Sequence, residues 1–220
     1  MMRLSARHEA IVSQVTPGAK VLDVGTDHGF VAIALVKRGI ASYVCASDIN
    51  EGPLWRAQEN MELYGVDFPL YLADGIIDVP IDNIDTIIIA GMGGELIAEI
   101  LSKRDLADRK LILCPHTKAH ELRKSRIHIE KEVLVEDGGR LYPIICATQG
   151  DNGIENEADF YISPHLREDP LFPEWVQREL KKTDQILRFI SRGTQADAAM
   201  KKQLWYKGEL EKYANLRRDS

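Results

Sequence analysis

Cysteine is scarce: 220 residues hold three, Cys45, Cys114 and Cys146. An odd and widely spaced set excludes a disulfide framework and suits a reducing compartment. Long apolar runs are missing too. No stretch approaches the roughly 20 residues needed to span a bilayer, and Met1-Met2-Arg3-Leu4-Ser5 carries no apolar signal core. A cytoplasmic protein with no membrane partner is therefore expected. Cys114, His116, His120 and Cys146 fit no structural zinc spacing, so they read as core thiols and surface histidines, and no metal is expected. Neither an internal repeat nor a low-complexity tract is present.

What is there is ordinary for a globular chain: 45% hydrophobic and 28% charged residues. The length suits one large domain, or a standard domain with an appendage, and folding at this size buries roughly 70% of the unfolded surface. The net charge of −6 argues against a generic nucleic-acid binder, but its distribution does not. Residues 1–100 hold six basic and fourteen acidic groups, and residues 101–131 hold nine and four. Residues 132–177 hold two and ten, and residues 178–220 eleven and six. The chain is an acidic body with two basic stretches, and local charge steers partners more than the total does.

Short apolar strands alternate with helical patterns up to about residue 148. Strands are expected at 20–25, 43–49, 70–73, 84–90 and 110–114, with helices at 30–37, 53–64 and 95–101 and a short basic helix at 119–126. The run Ile84-Asp85-Thr86-Ile87-Ile88-Ile89-Ala90 lacks polar alternation, as a central strand covered on both faces requires. Segments 131–136 and 140–148, flanking Asp137-Gly138-Gly139, predict a closing hairpin. This order predicts an α/β, doubly wound and mostly parallel sheet over residues 1–150. Residues 151–220 change character: a polar linker and an irregular proline-containing stretch precede two helices, 174–191 and 196–216. Ser191-Arg192-Gly193-Thr194 marks the stop and restart, with a capping box from Thr194 to Asp197. Such a hairpin is too thin to bury much core alone, so it is expected to pack on the main domain, a second copy or a large ligand.

In an open parallel sheet, ligands bind at the carboxyl ends of the strands near the topological switch point. Four strand ends here are polar or glycine-rich: Asp23 to Gly29, Asp48-Ile49-Asn50, Ala73-Asp74-Gly75, and Ala90-Gly91-Met92-Gly93-Gly94. Dinucleotide folds place amides of a G-x-G-x-x-G turn on a pyrophosphate. Here only Gly25 and Gly29 are present, and Asp23 and Asp27 in the same loop would repel a pyrophosphate. S-adenosylmethionine has no phosphate but carries a cationic ammonium and a cationic sulfonium. Its ribose suits Asp48, placed 23 residues beyond Gly25, and its adenine amino group suits Asp74.

Leu4-Ser5-x-Arg7, Asp23-Val24-Gly25-Thr26-Asp27-His28-Gly29, Ala46 to Pro53, Ala73-Asp74-Gly75 and Ile89 to Gly94 together resemble the bacterial tRNA adenine-22 N1-methyltransferase family (TrmK-like). The resemblance runs from about Leu4 to Leu113 and more weakly into the helical hairpin. It implies a Rossmann-like class I methyltransferase fold with a C-terminal coiled-coil-like extension, and methyl transfer from S-adenosylmethionine to N1 of adenine in tRNA. Cofactor binding is then carried to Arg7, Asp23, Gly25, Thr26, Asp27, Asp48, Ile49, Asn50, Ala73, Asp74, Gly75, Gly91 and Gly93. Three departures lie toward the substrate side. Cys114-Pro115-His116 replaces Gln-Pro-Asn, residues 123–131 look short, and Tyr142-Pro143 stands where the family tends to have Tyr-Glu.

N1 of neutral adenine already holds an in-plane lone pair, so positioning matters more than a general base. Positive charge develops on the base, and Asp27 is the first candidate to stabilise it. Met92 in the glycine turn would offer a flat surface and neighbouring carbonyls. His28 either joins this chemistry or fixes the loop. Lys118, Arg123, Lys124, Arg126, Arg178, Lys181 and Lys182 are the candidate tRNA phosphate contacts. The expected partner is tRNA, with the protein a monomer or weak homodimer. Two alternatives stay open: a methyltransferase for another nucleic-acid or small-molecule acceptor, and a non-catalytic protein that binds the cofactor and RNA.

Overall fold

A computed structural model of the chain describes residues 2–190 and 197–215. It divides into two compact units, Met1–Gly153 and Ile154–Ser220.

The first unit is built on seven strands: β1 Lys20–Val24, β2 Tyr43–Asp48, β3 Leu70–Leu72, β4 Thr86–Ala90, β5 Lys110–Cys114, β6 Ile127–Asp137 and β7 Arg140–Gln149. They form one sheet in the order β3-β2-β1-β4-β5-β7-β6. The first five pair in parallel, with Leu22 between Cys45 and Ile87, and Ile88 beside Ile112. β7 runs antiparallel between β5 and β6. The order reverses between β1 and β4, which puts the switch point beside the first glycine turn.

The pleat explains why the central strands lack polar alternation. Leu22, Ile87, Ile89, Leu111 and Leu113 enter one apolar layer, together with Ile97 and Ile100. Val21, Ile88 and Ile112 enter the other, with Ile11, Val12, Ile33 and Leu35. Each fully buried Leu or Ile contributes roughly 1.5–3 kcal/mol of transfer free energy, so a polar residue on either face would be costly. Helices α1 Ala6–Ser13, α2 Phe30–Lys37, α3 Glu51–Tyr64, α4 Gly94–Ser102 and α5 Ala119–Arg123 supply the cover.

Two local expectations need correction, and one helix is an addition to them. Helix α1 was not read from the sequence; Ser5 caps it by accepting the His8 amide at 3.4 Å, and it buries Ile11 and Val12. The basic helix stops at Arg123, three residues short of Arg126, because Ile127 starts β6 opposite Gln149. A register shift between Ile129 and Lys131 then lets β6 continue, so the hairpin begins earlier than the 131–136 segment suggested.

The second unit contains α6 Glu157–Tyr161, a 3₁₀ turn Pro164–Glu168, α7 Phe172–Ile190 and α8 Asp197–Asn215. The stretch after the linker is thus partly helical, with Asn156 Oδ1 accepting the Ala158 amide at 3.1 Å. Phe172 meets Tyr213, Glu179 accepts the Tyr206 hydroxyl at 3.2 Å, and Lys207 pairs with Asp184 at 2.8 Å. These pairings run in opposite directions along the chain, which makes α7 and α8 antiparallel. The hairpin is not bare: Tyr161 of α6 packs edge-on to Trp205 at 5.2 Å, and Leu166, Phe172, Trp175, Val176 and Leu210 are buried. The expected stop at 191–194 and the Thr194 capping box lie outside the described residues. Among the described residues, no helix is long and apolar enough to cross a membrane, and no group of three or more His, Cys, Asp or Glu could hold a metal ion.

Candidate active site

A cleft of about 490 Å³ opens at the carboxyl ends of β1, β2 and β4, within the size range of small-molecule sites. Its first wall is the turn after β1. Gly25 takes φ +75°, and a Cβ there would stand 2.1 Å from the Met92 methyl, so this turn and the one after β4 touch. The Gly25 and Thr26 amides both donate to the Ser47 carbonyl, at 2.8 and 3.2 Å. Thr26 Oγ1 donates to Asp23 Oδ2 at 2.7 Å, fixing a carboxylate only 6% exposed. Burial pushes the Asp23 carboxyl up to about 6 against the Thr26 hydrogen bond, and the Asp48 charge pushes the same way.

Asp27 and His28 stand at the rim. The Asp27 carboxylate accepts from Arg56 Nη2 of α3 at 2.6 Å, and its other oxygen lies 3.4 Å from His28 Nε2. The His28 ring stacks on Phe30, centroids 5.4 Å apart, and its carbonyl accepts from Asn60 at 2.9 Å. The second wall comes from β2, where Asp48 Oδ1 accepts the Asn50 amide at 2.9 Å and Pro53 follows on α3.

The third wall is a pair of loops bonded to each other. The His116 amide donates to the Met92 carbonyl at 2.8 Å, Gly93 bridges Thr117, and the Gly94 amide donates to the Thr117 carbonyl at 2.8 Å. Gly94 is required by this approach, since a Cβ would lie 2.3 Å from the Lys118 carbonyl oxygen. Arg7 of α1 closes the end: it donates to His116 Nε2, covers the Tyr142 ring at 5.2 Å and lies 4.0 Å from Asp137. Because arginine can only donate, this contact requires His116 Nε2 to accept, which the neutral imidazole protonated on Nδ1 can do. Partial burial, then the Arg7 and Arg140 charges, hold its pKa below the ordinary range. His8 is lowered as well, by burial and then Arg7. The Arg7 Nε is buried without a hydrogen-bond partner among the described residues, 4.0 Å from the Asp137 carboxylate.

Of the residues expected to bind cofactor or act on substrate, Arg7, Asp23, Gly25, Thr26, Asp27, His28, Asp48, Asn50, Gly91 and Met92 line this cleft. Ile49, Ala73, Asp74, Gly75 and Gly93 are not in its lining. Asp74 instead accepts from Lys103 at 2.9 Å, and the Gly75 carbonyl takes the Ser47 hydroxyl. His8, Phe30, Pro53 and His116 line the cleft without having been singled out for it. The Leu4-Ser5-x-Arg7 motif could have flagged His8, since a serine cap puts positions 6–9 in one turn.

Among the phosphate candidates, Arg123 must be corrected. It is 2% exposed, and its guanidinium is held by the buried Glu132 at 2.8 and 3.2 Å, so it ties α5 to β6 and reaches no ligand. Lys118 pairs with Glu95 at 2.6 Å, Lys124 lies 3.7 Å from Glu121, and Arg126 is exposed. In the second unit, Arg178 pairs with Glu174 and Lys182 with Glu179, while Lys181 is exposed. Cys114 is buried and its thiol is pushed up to about 11 by that burial, which removes it as a nucleophile.

Residues 4–145 match the family described as Methyltransferase domain. A tRNA (adenine(22)-N(1))-methyltransferase of Bacillus subtilis is 32% identical over 219 residues, spanning 92% of this chain and 91% of its own. The crystal structure of the B. subtilis m1A22 tRNA methyltransferase TrmK aligns with a TM-score of 0.82 at 27% identity, over 97% of this chain and 100% of that one. A Streptococcus pneumoniae protein solved in complex with S-adenosyl-L-methionine aligns with a TM-score of 0.82 at 29% identity, over 96% and 100%. With the strand order and the glycine turn in place, this near full-length agreement settles the lineage: the chain belongs to the methyltransferase domain family and, within it, to the tRNA (adenine(22)-N(1))-methyltransferases.

Proposed function

We propose that this protein transfers a methyl group from S-adenosyl-L-methionine to N1 of an adenine in tRNA, the adenine at position 22. The supporting observation is the charge of the cleft. Asp23, Asp27 and Asp48 surround the glycine turn at the switch point, and Arg7 is the one Lys or Arg among the described lining residues. Such a wall repels a pyrophosphate and suits a cofactor with cationic centres and no phosphate. Arg7 at the end of the cleft is the guanidinium placed to meet the cofactor's carboxylate.

In this reading Asp48 and Asn50 hold the ribose, Asp23 and Arg7 the amino-acid end, and Gly25 lets the ligand approach the backbone. The cofactor supplies an electrophilic methyl group. Everything else falls to the chain. The zipped loops Gly91–Gly94 and His116–Thr117 hold Met92 and His116 as a fixed floor, so N1 can be aimed rather than activated. Asp27, at the rim, stabilises the positive charge that methylation creates on the base. His28 stacks on Phe30 beside Asp27 and fixes the loop that carries it. Phosphate contacts beyond the cleft fall to Lys118, Lys124 and Arg126 and, on the hairpin, Arg178, Lys181 and Lys182. A cytoplasmic enzyme, monomeric or weakly dimeric, fits this role.

Incubation with methyl-labelled S-adenosylmethionine and bulk tRNA, followed by mapping of the labelled base, tests the reading. Label on adenine N1 is expected. Asp27→Asn should lower kcat by about 10- to 100-fold, well beyond any change in cofactor affinity. Label on a protein or small molecule, or cofactor affinity without transfer, would favour one of the two alternatives.

A further inference from the structure

Asp27, the rim carboxylate, accepts from Arg56 at 2.6 Å, and its other oxygen lies 3.4 Å from His28 Nε2. The guanidinium beside it offsets part of the carboxylate's charge, so Asp27 serves a developing positive charge less well while the pair is closed. Yet the pair is open to solvent, with the Arg56 side chain 45% and the Asp27 side chain 64% exposed. Exposed pairs are worth at most about 1 kcal/mol, so a competing anion can take the place of Asp27 on Arg56.

The surrounding charge says which anion. An adenine entering the cleft brings its own phosphates past Asp27 and Asp48, within a segment that holds fourteen acidic and six basic groups. Arg7 cannot balance them, because it is bound to His116, lies near Asp137 and covers Tyr142. Arg56 is placed to do so. It follows Pro53 of the cleft wall by one helical turn, and its guanidinium spends one Nη2 donor on Asp27. The other N–H groups form the planar fork that suits a phosphate.

We propose that Arg56 is an RNA contact, binding a backbone phosphate next to the target adenine, and that it releases the Asp27 carboxylate as it does so. The ion pair then offsets part of the Asp27 charge until RNA arrives, and the phosphate that takes Arg56 turns Asp27 over to the base. This rests on the tRNA reading above and adds to it the residue that couples RNA arrival to the rim.

Steady-state methylation of tRNA by wild type, Arg56→Ala and Arg56→Lys, with tRNA binding measured by fluorescence anisotropy across a salt series, tests it. Arg56→Ala should raise KM and Kd for tRNA about fivefold or more and flatten the log–log salt slope by about one. Its kcat should be unchanged or higher, since Asp27 is no longer held, and cofactor affinity by calorimetry should not move. Arg56→Lys keeps the charge and should keep the slope. Unchanged KM, Kd and slope in Arg56→Ala would overturn the proposal. So would a fall in kcat with KM and slope intact, which would make Arg56 only an orienter of Asp27. The underlying reading fails separately: if wild type binds tRNA but transfers no methyl group, a flattened slope in Arg56→Ala still supports the phosphate contact. If wild type binds no tRNA, both are lost.

Discussion

Asp23 pits cofactor binding against stability, and the conflict has a pH signature. Its carboxyl is raised from 3.8 to about 6, chiefly by burial. Below 3.8 the folded and unfolded states are both protonated and the group contributes nothing. Between 3.8 and about 6 the folded state keeps its proton and the unfolded state does not, so stability falls as pH rises. Above about 6 both are ionised, and the folded protein carries the whole penalty, about two pKa units or about 3 kcal/mol. The same relation gives about 1 kcal/mol at pH 4.5 and about 3 kcal/mol at pH 7.5.

Asp23→Asn keeps an oxygen for the Thr26 hydroxyl but cannot ionise. Urea unfolding of the cofactor-free protein should therefore show the variant gaining on wild type by about 2 kcal/mol between pH 4.5 and 7.5. Any fixed cost of burying the amide shifts both values equally and leaves this difference intact. Calorimetry completes the test. Wild-type affinity for S-adenosylmethionine should weaken about tenfold per pH unit below 6, because the ionised carboxylate is the form that receives a cation. In Asp23→Asn binding should be weak and lose that dependence. A stability difference that stays constant between pH 4.5 and 7.5 would refute the burial account of Asp23. A pH-independent wild-type affinity would refute its role toward the cofactor.

Two further predictions follow from close contacts elsewhere. Gly94→Ala should cost about 1–3 kcal/mol by thermal or urea unfolding, because its Cβ would meet the Lys118 carbonyl at 2.3 Å, whereas Gly208→Ala, with nothing within 4 Å in the middle of α8, should stabilise by about 0.5–1 kcal/mol. Arg123→Met should cost about 3–5 kcal/mol by leaving Glu132 buried and alone, and Arg123→Met with Glu132→Leu should recover much of it while keeping the wild-type salt dependence of tRNA binding.

The sheet was legible because its physics is local and repetitive. A strand buried on both faces must be apolar at every position, so Ile84 to Ala90 announced β4, and Lys110 to Cys114 announced β5 to the residue. Glycine at strand ends announced the turns. Helix α1 was hidden by its length: eight residues with two buried side chains give too weak a period to stand out. Arg123 misled for a different reason. Counting charge along the chain treats every arginine as solvated, and only the register of β6 shows that Glu132 comes to lie against it.

Three acids of the cleft were legible in the sequence and their partners were not, while Asp74 lies outside the lining. Asp23 and Asp48 stand at the carboxyl ends of β1 and β2 and Asp27 in the turn after β1, and a parallel sheet brings such ends to one edge whatever the loops contain. What each carboxylate touches is decided by residues far away in sequence: Arg56 for Asp27, 29 positions on, and Arg7 for His116, 109 positions apart. The Cys114-Pro115-His116 departure shows what this means for function. As a sequence change it could reshape the acceptor pocket. In the fold, the His116 backbone keeps its bond to Met92 whatever side chain it carries, since that bond uses the amide. The loop is therefore held, and the substitution acts through the ring alone, as an imidazole held by Arg7. That confines its effect to what the cleft offers the base and leaves the methionine floor and the glycine turn where the rest of the family's motif puts them.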